Sequence, residues 1–111
     1  MESEEDIKQH LYRYARVYAF TQGYQFGAGA THDVEDMSGA AARNILAPPP
    51  QFANADRAQL VRIAEKQLGI LVDHMIIARG EVYAGGEKMN VIGEETLAWA
   101  RNILCPMWPI C

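Results

Sequence analysis

The sequence predicts an all-α fold, a four-helix bundle-like domain built from two tandem helical hairpins with approximate pseudo-twofold symmetry. Three observations predict it. Apolar residues recur at spacings of three and four over long segments. The segment Ala42-Arg43-Asn44-Ile45-Leu46 returns as Ala100-Arg101-Asn102-Ile103-Leu104, each copy followed one residue later by proline. A glycine-containing turn lies upstream of each copy, Gly23–Gly29 in the first half and Gly80–Gly86 in the second. One helical pair buries its own apolar face poorly, whereas two stacked pairs share a core. At 111 residues there is room for one domain, 1–111, with repeat halves at about 3–50 and 54–106 and an apolar tail at 107–111.

The first helix is expected from about Glu4 to Gln22. Ser3 followed by Asp6 is a capping-box pattern, with acids in the first turn where the helix dipole favours them. Ile7, Leu11, Tyr14 and Tyr18 supply its apolar stripe, and the glycines from Gly23 onward stop it.

Thr31 or Asp33 is expected to cap the second helix. Val34, Met37, Ala41 and Ile45 form its inward face, and the small residues Ser38 to Ala42 admit a close neighbour. Proline at 48, 49 and 50 ends it, because proline lacks the N–H a helix needs and restricts the residue before it.

Asn54 or Asp56 opens the third helix. Val61, Ala64, Leu68, Leu71, Met75, Ala78 and Val82 alternate spacings of three and four, the strongest periodic signal in the chain. Leu60, Ile63, Ile70 and Ile77 make a second stripe beside it, interrupted by Gln67 and His74, so the helix is expected to be central. Gly69 is expected to mark a close crossing, and the helix to stop near Gly85-Gly86. A fourth helix follows from Gly93 or Glu94 to Leu104. The tail Met107-Trp108-Pro109-Ile110-Cys111 is expected to lie against the core or a partner subunit.

Composition excludes some functions. Half the residues are apolar and 22% charged, a globular balance, and the net charge is −4. A nucleic-acid binder needs a basic footprint, which this charge does not supply. No segment is long and apolar enough to span a bilayer, and the acidic start lacks signal-peptide character, so cytoplasmic residence without membrane contact is expected. Cys105 and Cys111 form no disulfide framework and are expected as free thiols.

Arg43, Asn44, Arg101 and Asn102 are the polar residues the repeat leaves over. Beside a proline stop they serve first as helix-end caps. As a functional set they are candidate ligand-binding residues for a nucleotide-like anion held between the halves. The turn Gly27-Ala28-Gly29 precedes a helix but has no Lys-Ser/Thr element, so it reads as a turn and not a phosphate loop. His32, Asp33, Glu35 and Asp36 cluster without a recognised metal spacing and read as a solvated helix start. His74 reads as a histidine at the core edge, with Tyr18 or Asp36 as possible neighbours after folding. His10, four residues after Asp6, reads as an exposed helix pair.

The first helix carries more aromatic residues than one core face absorbs, so Tyr12, Tyr24, Phe26 and the tail Trp108 are candidate interface residues. No catalytic set converges in the sequence, and no metal or cofactor is implied. The leading expectation is a small non-enzymatic interaction protein of the accessory, immunity or phage-modulator type. It would bind or inhibit another macromolecule as a homo-oligomer, with a dimer as the first guess. The alternatives are a small-anion binder using Arg43 and Arg101, and a small helical metal protein or enzyme.

Overall fold

Ser3 opens helix α1 (Glu4–Thr21) with a complete capping box. Its Oγ accepts from the Asp6 N–H at 3.1 Å, and its own N–H donates to Asp6 Oδ2 at 3.3 Å. The computed structural model describes residues 3–79, 90–92 and 109, with side chains over 3–74 and at 109. Gly23 ends α1. Its φ of 87° is the left-handed conformation that an L side chain resists, and its N–H donates to the Phe20 carbonyl at 3.0 Å.

The chain then extends into strand β1 (Tyr24–Phe26), which pairs in parallel with strand β2 (Asn90–Ile92). Tyr24 lies opposite Asn90, Gln25 opposite Val91 and Phe26 opposite Ile92. Neither strand was expected from the sequence. At three residues each, period-two alternation has no length over which to show. Pairing between segments so distant is a tertiary event. The described residues are therefore mostly helical, with one short two-stranded ribbon among them.

Helix α2 (Ala28–Leu46) begins at Gly27, not at Thr31 or Asp33 as expected. Ala30 is fully buried, so the first turn packs into the core, which offsets the cost of a glycine at position 29. His32, Asp33 and Asp36 consequently sit within the helix and not at its start. The helix ends where the Ala47 N–H reaches the Arg43 carbonyl at 3.0 Å and the prolines begin. A 3₁₀ turn (Pro50–Phe52) follows, with Phe52 half-buried against the core.

Asp56 opens helix α3 (Arg57–Arg79) with a second capping box. The Gln59 N–H donates to Asp56 Oδ1 at 2.9 Å, and the Asp56 N–H to Gln59 Oε1 at 3.1 Å. The expected fourth helix, the helix end near Gly85, Val82, and both tail cysteines fall outside the described residues.

The core differs from the expected stripe on α1. Ile7, Leu11, Ala15 and Ala19 are the buried line, while Tyr14 and Tyr18 lie half-buried with their rings stacked 6.4 Å apart. Alanines at the contact let α2 lie close, and there the facing residues are Ala41, Ala42, Ser38 and Gly39, all buried. Lys8 lays its aliphatic stem toward Gly39, and Glu4 reaches toward Arg43, so early α1 meets late α2 and the two helices are antiparallel. On α3 the buried line is Leu60, Ala64, Leu68, Leu71 and Val72, while Val61, Ile63 and Ile70 pack at its margin. Gly69 faces the edge of the Tyr18 ring, and a Cβ there would stand 3.9 Å from it, so no close backbone crossing requires this glycine.

Candidate functional site

Two side-chain bonds join α1 to α3, and both link residues 55 apart in the chain. His10 Nε2 lies 2.6 Å from Glu65 Oε2, and the Tyr18 hydroxyl donates to Asp73 Oδ1 at 2.8 Å. A constant offset means the two helices run parallel with the same rise, so their outer seam is a continuous face. His10 is not paired with Asp6, as its sequence spacing suggested, because Asp6 is engaged in the α1 capping box.

Two hollows lie along this seam and share His10. The larger, about 630 Å³, sits between the N-terminal turns of α1 and α3. Ile7, Ala58 and Val61 form its apolar floor; Asp6, His10, Arg57, Arg62 and Glu65 form its polar walls. The smaller, about 340 Å³, runs along α1 past Arg13, Tyr14, Val17, Tyr18 and Thr21 and is almost wholly apolar. Glu65 fixes the His10 ring through Nε2, which leaves Nδ1 as the second polar atom of the imidazole. The hydrogen bond to Asp73, then partial burial, then the Asp73 and Tyr14 charges hold the Tyr18 hydroxyl above its ordinary pKa of 10.0. His10 and Tyr18 are separated by about 12 Å of helix, eight residues at 1.5 Å each, too far to act on one reacting atom.

Arg43 is exposed at the surface, with its guanidinium 3.8 Å from Glu4 Oε2. Asn44 is half-buried, and its Nδ2 donates to the Pro109 carbonyl at 2.7 Å. Pro109 is buried, so at this residue the tail lies against the fold. Arg101, Asn102 and Trp108 lie outside the described residues. Tyr24, expected at an interface, is a core residue at 3% exposure, because β1 turns its first side chain inward. Tyr12 and Phe26 are half-buried at the core margin, Tyr12 with the Arg16 guanidinium 5.9 Å from its ring centroid.

His32 and Asp36 face each other at 3.7 Å, one turn apart on α2, both largely exposed. Among the described residues no three His, Cys, Asp or Glu side chains gather as a metal site. His74 is half-buried, but Tyr18 bonds its neighbour Asp73 instead. Among the described residues no helix is long and apolar enough to cross a membrane.

Sequence reasoning missed Val17, and it counted Phe20 in the aromatic surplus of α1 without placing it among the interface residues. Val17 and Phe20 are 50% and 56% exposed on the outward side of α1, with Arg13 one turn before Val17. Their signal was present in the helical wheel, where 13, 17 and 20 fall on one line opposite Ala15 and Ala19. No known protein family, no curated protein and no solved structure matches this chain.

Proposed function

We propose that this chain is a non-enzymatic interaction module that binds protein, beginning with a second copy of itself, through the outward face of α1. The observation that carries this reading is the pair of large apolar side chains, Val17 and Phe20, left about half exposed on a helix whose other face is fully packed. Exposed apolar residues are ordinary when scattered, but these two are one turn apart, and Val17 also lines the apolar hollow beside Tyr14 and Tyr18. Aromatic residues flanked by arginine are the composition of protein-binding hot spots.

The expected second hairpin completes this picture. The parallel pairing of α1 with α3 and of β1 with β2, and a capping box at the start of both α1 and α3, support a tandem repeat whose halves lie side by side. A fourth helix over about 94–104 would then occupy the place in the second half that α2 holds in the first.

Light scattering coupled to size exclusion, over a range of concentrations, tests the reading. The wild-type chain is expected as a dimer, and Val17→Ser with Phe20→Ser as a monomer of unchanged helicity. A wild-type monomer at every concentration, with no protein retained from source-cell lysate on the immobilised chain, would remove it.

A further inference from the structure

We propose that the groove between the N-terminal turns of α1 and α3 is a binding site for a small phosphorylated molecule, with Arg57 and Arg62 as its phosphate ligands. The groove holds two carboxylates and two guanidiniums, and they are not paired with each other. Asp6 and Glu65 keep their negative charges in the groove but are turned to other partners, Asp6 to the Ser3 N–H and Glu65 to His10 at 2.6 Å. Arg57 and Arg62 line the same groove, yet among the described residues neither has a carboxylate within ion-pair distance. A dianionic phosphate supplies what the two guanidiniums lack, in the bidentate geometry that arginine favours.

Arg57 and Ala58 stand in the first turn of α3, whose N-terminus Asp56 already caps, so the phosphate is left to the arginine side chains. The floor of Ile7, Ala58 and Val61 is apolar, and about 630 Å³ is the size of a small-molecule cleft. The occupant is therefore a phosphomonoester whose organic part rests on Ala58 and Val61 while its phosphate spans the arginines. His10, fixed by Glu65 through Nε2, stands at the wall of the same groove. The site is separate from Val17 and Phe20, so it stands or falls independently of self-association.

Calorimetric titration at low ionic strength with inorganic phosphate and with phenyl phosphate tests the proposal. Saturable binding of both is expected, tighter for phenyl phosphate. Arg57→Ala and Arg62→Ala should each weaken it by about tenfold, since a charge-assisted hydrogen bond is worth roughly that factor. Arg43→Ala, on the α2 side, should bind as the wild type does. Arg62 is exposed and Arg57 half-buried, and circular dichroism checks that the variants keep their helices. Absence of saturable binding, or binding undiminished in the Arg57→Ala/Arg62→Ala double variant, overturns the proposal. Loss of binding in Arg43→Ala overturns the placement of the site.

Discussion

The Tyr18 hydroxyl donates a 2.8 Å hydrogen bond to Asp73, bridging α1 and α3 two turns beyond the His10–Glu65 contact. The ring of the same tyrosine lies against Gly69 on one side and stacks on Tyr14 along its own helix. This one side chain therefore helps hold the parallel register of two helices.

The bond to Asp73 makes a titration prediction. Ionising Tyr18 would set a phenolate against a carboxylate, so its pKa is raised above 10.0 in the folded chain. The interaction stabilises the fold below the unfolded tyrosine pKa and is lost as pH rises through the higher folded value. Alkaline ultraviolet titration should show a tyrosine ionising late, and Asp73→Asn should move that step back toward the ordinary range. A titration curve identical in Asp73→Asn would place the late step elsewhere.

Three glycines separate by sign. Gly69 and Gly39 are helical, and a methyl added to either meets only ordinary van der Waals neighbours, at 3.9 Å from Tyr18 and 3.5 Å from Lys8. Gly69→Ala and Gly39→Ala should each stabilise the chain by about 0.5–1 kcal/mol, the helix-propensity difference. Gly23→Ala should destabilise it by about 1 kcal/mol, because φ of 87° is unfavourable for alanine. Urea denaturation midpoints check all three, and a destabilised Gly69→Ala would contradict the packing described around Tyr18.

Core and surface positions on the helices should differ sharply. Leu11 and Leu68 are fully buried, and changing either to alanine should cost about 2–5 kcal/mol. Phe20→Ser removes a larger side chain yet should change stability by less than about 0.5 kcal/mol in the monomer, because that ring is mostly in water. Denaturation of dilute protein measures the contrast.

Asn44 anchors the tail through the Pro109 carbonyl. Asn44→Ala should lose about 1 kcal/mol, the net worth of one hydrogen bond. It should also raise proteolytic cleavage in the tail without changing hydrogen exchange in the middle of α1. If tail cleavage stays at the wild-type rate, this bond does not hold the tail.

The helices were legible where local chemistry decides them. Ser3 with Asp6, Asp56, Gly23 and the prolines after Ala47 each set a boundary through hydrogen bonds or steric limits within four residues of themselves. Spacing also identified the buried stripe of α2 and, on α3, Leu60, Ala64, Leu68 and Leu71. On α1 it favoured Tyr14 and Tyr18 over Ala15 and Ala19, because hydropathy counts ring size. Close packing of two helices instead rewards small residues at the line of contact. The candidate site was largely illegible for a related reason. His10 and Glu65, Tyr18 and Asp73, and Asn44 and Pro109 are 55, 55 and 65 residues apart, and no local pattern couples them.

By itself, then, the sequence determined that this chain forms long amphipathic helices, where three of them begin or end, and which glycines and prolines interrupt them. Each of those outcomes depends on neighbours along the chain. The tertiary structure alone decided that α1 and α3 run parallel, that β1 meets β2, and that Ala15 and Ala19, not Tyr14 and Tyr18, line the core of α1. It also decided that two arginines share a groove whose carboxylates are already engaged. Those outcomes depend on which faces meet when the helices pack, and burial of distant apolar surface selects them.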